Sequence, residues 1–174
     1  MAKKLRKLPK KKEAELKAYL DEVIRLVEVP EYIDSDPVQF MHAFSEKADM
    51  EIAGFFAAIM AWGRRDIVIT KVDDLLRRMD YRPHQFILHF SESDAHLLDG
   101  FKHRTFKPID MYWFLQILQN IYRSYPDFEA FWAKCYHRSN LCLRPLIAIF
   151  HEEFFSICPE TPQRSRKHIA NPEK

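Results

Sequence analysis

Glycine is the residue that most constrains this chain. It occurs three times in 174 residues, at Gly54, Gly63 and Gly100. Backbone at φ > 0 and two-residue hairpin turns depend on glycine, so a chain this poor in it has little means of building tight β-hairpins. The three glycines also stand too far apart to form the G-x-G-x-x-G or Walker turns that cradle phosphates on backbone N–H groups. Both points lead away from nucleotide-binding α/β folds and towards an all-α domain. With 47% hydrophobic and 14% aromatic residues, the chain has the apolar surface to form a core.

Apolar spacing predicts a single compact domain of about seven helices, with no internal repeat and no convincing strand. Leu16, Leu20, Val23, Ile24 and Val27 recur at helical intervals before Pro30. Ser35 or Asp36 caps a second helix, with Pro37 in its first turn. Asp49 is read as the cap of a third, buried helix. Its large face carries Ile52, Phe55, Phe56, Ile59 and Met60, and its small face Ala53, Ala57, Ala58 and Ala61. Gly63 suits the position that ends it. Asp66 caps the next helix, whose stripe is Val68, Val72, Leu75, Leu76 and Met79. On its solvent side Asp73–Arg77 and Asp74–Arg78 are i,i+4 pairs.

Pro83 opens a short helix, and residues 91–107 read mostly as loop. A strong aromatic helix runs from Pro108 to about Tyr125. Another starts at Pro126 and Asp127, and a last one follows Ser139 or Asn140, with Pro145 confined to its first turn. The organisation expected is a basic disordered arm over 1–12, a helical domain over 13–158 and a polar tail over 159–174 that has no structure alone.

Charge is unevenly spread. Residues 1–12 hold seven basic residues and no acid, whereas residues 13–157 hold 16 basic against 23 acidic, a net of −7. A polyanion partner therefore needs a local basic patch, because the mean field of the body opposes it. Cys135, Cys142 and Cys158 are an odd number, and the start MAKKLRKLPKKK lacks the apolar core of a secretory signal. No apolar run reaches the ~18 residues of a membrane span. These features predict a cytoplasmic protein with reduced thiols and no membrane partner.

The stretch Asp49–Asp80, DMEIAGFFAAIMAWGRRDIVITKVDDLLRRMD, places an indole and two arginines in the turn between a buried helix and an amphipathic one. Its part IAGFFAAIMAWGRRDIVITKVDDLLRRM resembles the paired early helices of the helix-hairpin-helix DNA glycosylases of the endonuclease III type. More closely, this segment, the run DMYWFLQILQNIY and the terminal SRKHIANPEK resemble an uncharacterised bacterial family of unknown function related to those enzymes. The resemblance covers residues 13–174. It implies a glycosylase-like helical fold and a turn, Trp62, Gly63, Arg64 and Arg65, that faces duplex DNA. There the indole wedges or stacks and the arginines hold phosphates. The chain departs from the glycosylases in having no Gly-x-Gly hairpin. The resemblance therefore implies the N-terminal, DNA-facing part without the catalytic part. A missing helical half, or self-association through the surface it would cover, is then the expected partner besides DNA. The alternative is an interaction or scaffold domain with no catalysis, or a truncated fragment with no function of its own.

Other sites read blandly. Cys135, His137 and Cys142 form a C-x-H-x₄-C run that is not a standard zinc knuckle and has no obvious fourth ligand, His151 being one candidate. His-Glu-Glu at 151–153 lacks the second histidine of H-E-x-x-H. His96 and His103, with Arg82, Lys102, Arg104 and Lys107, make a basic loop that solvation explains. No catalytic residue, metal or cofactor is expected.

Overall fold

A computed structural model describes residues 8–172. Those residues hold ten α-helical segments, one 3₁₀ helix and no strand beyond an isolated bridge between His103 and Phe106. The expected all-α class is therefore seen, with more and shorter segments than the seven expected. No helix among the described residues is long and apolar enough to cross a membrane.

The chain divides into two units, the first ending at Asp36. In the first, α1 spans Lys10–Val27 and α2 spans Pro30–Ile33. Of the expected basic arm, residues 1–7 lie outside the described residues, while Lys10, Lys11 and Lys12 form the start of α1. No residue of α1 is buried: Leu16, Leu20 and Ile24 stay exposed along one face.

The second unit starts at Pro37. It comprises α3 (Gln39–His42), α4 (Lys47–Met60), α5 (Arg65–Arg78), α6 (Pro83–His89), the 3₁₀ helix (Glu92–Leu98), α7 (Pro108–Ser124), α8 (Phe128–Arg138), α9 (Leu143–Ser156) and α10 (Gln163–Arg166). Helix α4 packs against α3, α5, α6 and α8. Helix α7 packs against α6, the 3₁₀ helix, α8 and α10, and α8 lies on α9. Their meeting point is aromatic. Phe55 of α4, Phe114 of α7 and Phe154 of α9 contact one another at centroid separations of 5.5–6.2 Å. Ring pairs at such separations add to the gain from burial alone.

The acids that open α4 cap other helices rather than their own. Helix α4 starts two residues before Asp49, whose carboxylate instead accepts the His84 N–H at 2.8 Å, at the start of α6. Glu51 accepts the N–H groups of Phe128 and Glu129, both at 3.0 Å, at the start of α8. Orphan N–H groups at helix starts need acceptors, and here a neighbouring helix supplies them. Asp127 caps α8 as expected, accepting from Ala130 at 2.8 Å. Pro145 falls in the first turn of α9. On α4, Ala53 and Ala57 are buried, but Ala58 and Ala61 of the expected small face are exposed.

Two further expectations are corrected. Asp73 accepts the Tyr81 hydroxyl at 2.7 Å, and Arg77 lies 3.5 Å from Asp74 instead. Asp74–Arg78 forms as expected, at 3.1 Å. Arg78 also donates to the Leu97 and Asp99 carbonyls, which ties the stretch read as loop to α5. Within that stretch Ser91 and Asp94 close a capping box on the 3₁₀ helix.

Residues 159–172 are ordered by contacts their sequence does not announce. Arg166 donates to the Pro159 and Thr161 carbonyls and lies over the Phe155 ring. Ser165 and Ile169 are buried. Polar residues with no stripe of their own gain order here from tertiary partners.

Candidate functional site

Helix α4 ends at Met60, and its chain turns through Trp62 and Gly63 before Arg64 opens α5. Gly63 has φ +109°, a conformation that L side chains rarely adopt. A Cβ there would also lie 2.0 Å from Nη2 of Arg104. Glycine at 63 thus serves two ends: it makes the turn and lets an arginine from elsewhere in the chain lie against the backbone.

That arginine is delivered by a second tight turn. His103 and Phe106 pair across it, and Arg104 holds a positive φ of 54° at its tip. His103 is 2% exposed and its Nε2 lies 3.0 Å from the Met60 carbonyl. A carbonyl only accepts, so Nε2 carries the hydrogen and the ring is anchored to the end of α4. Burial pushes the His103 pKa down, against the Met60 bond, and nearby Arg104 and Lys71 push it the same way as burial. The turn lies against the Trp62 indole: His103 meets it edge-on at 6.3 Å, and the Arg104 guanidinium sits over it at 5.5 Å.

A third segment closes the site. Asp110, in the first turn of α7, is fully buried. Its carboxylate accepts Nε and Nη2 of Arg164 at 3.0 and 2.8 Å, the Ser165 hydroxyl at 2.6 Å and the Lys107 N–H at 2.8 Å. His168 Nε2 stands 3.5 Å away, an ion-pair distance without hydrogen-bond alignment, and that nitrogen has no hydrogen-bond partner. Burial raises the Asp110 pKa, but the contacts from His168, Arg164, Ser165 and Lys107 outweigh it and hold the carboxyl well below the usual range. The His168 ring stacks on Phe106 at 3.8 Å. Between this knot and the α4–α5 turn lies a pocket of about 460 Å³ lined by Ile59, Trp62, Thr105, Arg164, Lys167 and His168.

The four expected site residues fall as follows. Trp62 is 43% exposed, and it both packs on His103 and lines the pocket. Gly63 receives Arg104. Arg64 and Arg65 are exposed, and Arg64 pairs with Asp66 at 2.6 Å. Asp66, expected as the cap of α5, lies in its first turn, and Arg64 occupies the cap position. Sequence reasoning missed Asp110, Arg164, Lys167 and His168 as members of one site. Lys167 and His168 lie in the terminal SRKHIANPEK and Asp110 opens the run DMYWFLQILQNIY, but nothing in either run marks a shared site, and Arg164 lies in neither.

The thiol run assembles nothing similar. Cys135 is buried, which pushes its thiol pKa up, and Cys142 is exposed. Among the described residues, the group whose ligand atoms come within metal-binding reach is Glu51, Asp127 and Glu129. A cation already serves all three members, since Lys47 Nζ lies 2.7 Å from Asp127, 2.6 Å from Glu129 and 3.9 Å from Glu51.

A family model for proteins of unknown function, DUF2400, matches residues 36–174. The chain belongs to that family. No curated protein and no solved structure matches it. Membership of DUF2400 carries no glycosylase relationship with it, so the expected likeness to those enzymes enters only the functional reading. The matched span contains the whole site, from Trp62 to His168.

Proposed function

We propose that the face around Trp62 binds duplex DNA, as a glycosylase-like domain of base-excision type that lacks the catalytic part. The observation that supports it is the gathering of Arg104, Arg164 and Lys167 about a half-exposed indole, beside exposed Arg64 and Arg65. Residues 13–157 carry a net −7, so Arg64, Arg65 and Arg104 stand against the trend of their own segment, and Arg164 and Lys167 join them from the basic stretch beyond it. Cations hold phosphates and an indole packs on sugar or base, a combination that suits a nucleic-acid backbone. The reading assigns binding to this chain and no catalytic residue, and it places the protein in the cytoplasm.

The test is a titration of duplex DNA with an abasic site against the protein and an Arg64→Ala/Arg104→Ala variant at several salt concentrations. The variant should bind more weakly and with a flatter salt dependence, by about 0.9 in log–log slope for each phosphate it no longer neutralises. Equal affinity would remove this face from DNA recognition.

A second reading has its own observation. Leu141 and Leu143, at the α8–α9 turn, are 63% and 71% exposed, which favours an interaction domain that meets a protein partner there. Under that reading Leu141→Ser/Leu143→Ser abolishes self-association in sedimentation, and the arginine substitutions leave it intact.

A further inference from the structure

The pocket beside Trp62 has a more specific chemistry than a general phosphate face. Arg164 is fixed along one edge: Nε and Nη2 are committed to Asp110, and Nη2 also donates to the Thr105 carbonyl at 3.0 Å. Its Nη1 donates to nothing among the described residues, and neither does Lys167 Nζ, though both side chains line the pocket. The charge of Arg164 is balanced by Asp110. The charges of Lys167 and of nearby Arg104 are not balanced by any ion pair among the described residues. His168, also in the wall, is 94% buried at its side chain, with a nitrogen that has no hydrogen-bond partner. That nitrogen stands 3.5 Å from the Asp110 carboxylate, so the ring belongs to the knot that holds Arg164 in place. The pocket therefore presents the held guanidinium of Arg164 and the unbalanced ammonium of Lys167, with an indole and Ile59 completing the wall; Arg104 lies outside the lining, over the Trp62 ring.

We propose that this pocket binds the phosphomonoester of a single nucleotide, with the base or sugar against Trp62. A phosphomonoester carries about −1.5 to −2 charge near neutral pH, which matches Lys167 in the wall together with Arg104 beside it over the Trp62 ring. A phosphodiester carries one charge and is matched less well. The guanidinium, preset by Asp110, offers a charge-assisted hydrogen bond without paying to be ordered. The same group occurs on a free nucleoside monophosphate and on a phosphorylated strand end. The strand-end form rests on the DNA reading above; the free form does not.

The experiment has two arms. In calorimetry, thymidine 5′-monophosphate should bind at least tenfold more tightly than thymidine. Lys167→Ala should remove that difference. Trp62→Ala should weaken the nucleotide and spare inorganic phosphate, with Trp62→Phe retaining most of the affinity as a check on folding. Equal affinity for the nucleotide and the nucleoside, or nucleotide binding unchanged in both Lys167→Ala and Arg164→Met, overturns the proposal. In the second arm, a nicked duplex with a 5′-phosphate at the nick is compared with the same duplex bearing a 5′-hydroxyl. Preference for the phosphate, absent in Lys167→Ala, supports strand-end recognition. If both duplexes bind alike and the free nucleotide does not bind, the pocket proposal falls and the DNA reading stands. If the nucleotide binds and neither duplex does, the DNA reading falls and the pocket proposal stands.

Discussion

The guanidinium of Arg164 and the carboxylate of Asp110 form a two-pronged pair, 3.0 and 2.8 Å long, across 54 residues of sequence. The carboxylate is fully enclosed while the arginine side chain is 41% exposed. Burial alone would favour a neutral acid, so the charge survives only because its donors are in place. This pair attaches α10 to α7 and, with it, Lys167 and His168 to the pocket wall.

Asp110→Asn keeps the shape and removes the charge. It should cost roughly 2–3 kcal/mol at neutral pH, below the roughly 3–5 kcal/mol for breaking a fully buried pair, because Arg164 keeps water on one side. The pH dependence has a definite sign. A carboxyl whose folded pKa is depressed contributes stability that is fully present above its unfolded value, ordinarily 3.8. That contribution is lost as pH falls through the folded value. Urea melts of both proteins should therefore show a gap that is constant from pH 7 to about 5 and narrows below about 4. A gap independent of pH down to acid unfolding would mean that the charge is not what stabilises the knot.

His103 makes the second pH prediction. Its folded pKa lies below the ordinary 6.5 because the ring is buried. The folded state thus favours the neutral ring, and the stability this supplies is present above the unfolded pKa and is lost as pH falls from there through the folded value. Wild type should lose stability between pH 7 and pH 5, and His103→Gln, which keeps a donor for the Met60 carbonyl, should lose less. Identical slopes in melts over that range would show that His103 does not carry the titration.

Gly63→Ala tests the coupling of the two turns. The left-handed backbone alone should cost about 1–2 kcal/mol. The new methyl also claims the space of the Arg104 guanidinium, which is flexible and will move. DNA affinity should fall with it although no charge has changed. A variant that melts lower yet binds duplex as tightly as wild type would separate Arg104 from the binding face.

Much of the helix pattern was legible because helical periodicity is a local property. The aromatic run from Pro108, the Asp127 cap and the proline placed in the first turn of α9 each follow from neighbours within four residues. The α4–α5 turn was legible for the same reason, although α4 ends at Met60 with Ala61 as its cap and Gly63 lies two residues beyond that cap. The caps at α6 and α8 were not legible, because Asp49 and Glu51 serve N–H groups 35 and 77 residues away. Nothing in the DME triplet distinguishes an acid that caps its own helix from one that caps another.

The candidate site divides along the same line. The sequence by itself determined an all-α chain, an acidic body and a basic turn carrying an indole. The glycine count, the residue charges and the 3.6-residue period suffice for those, and none of them requires knowing what touches what. Only the tertiary structure decided that Arg104 lies against Gly63, and that Asp110 holds Arg164 beside His168. Those relationships link segments about 40 to 55 residues apart through burial and hydrogen-bond geometry. A buried carboxylate has to find its donors wherever the fold brings them, and that search leaves no periodic trace in the chain.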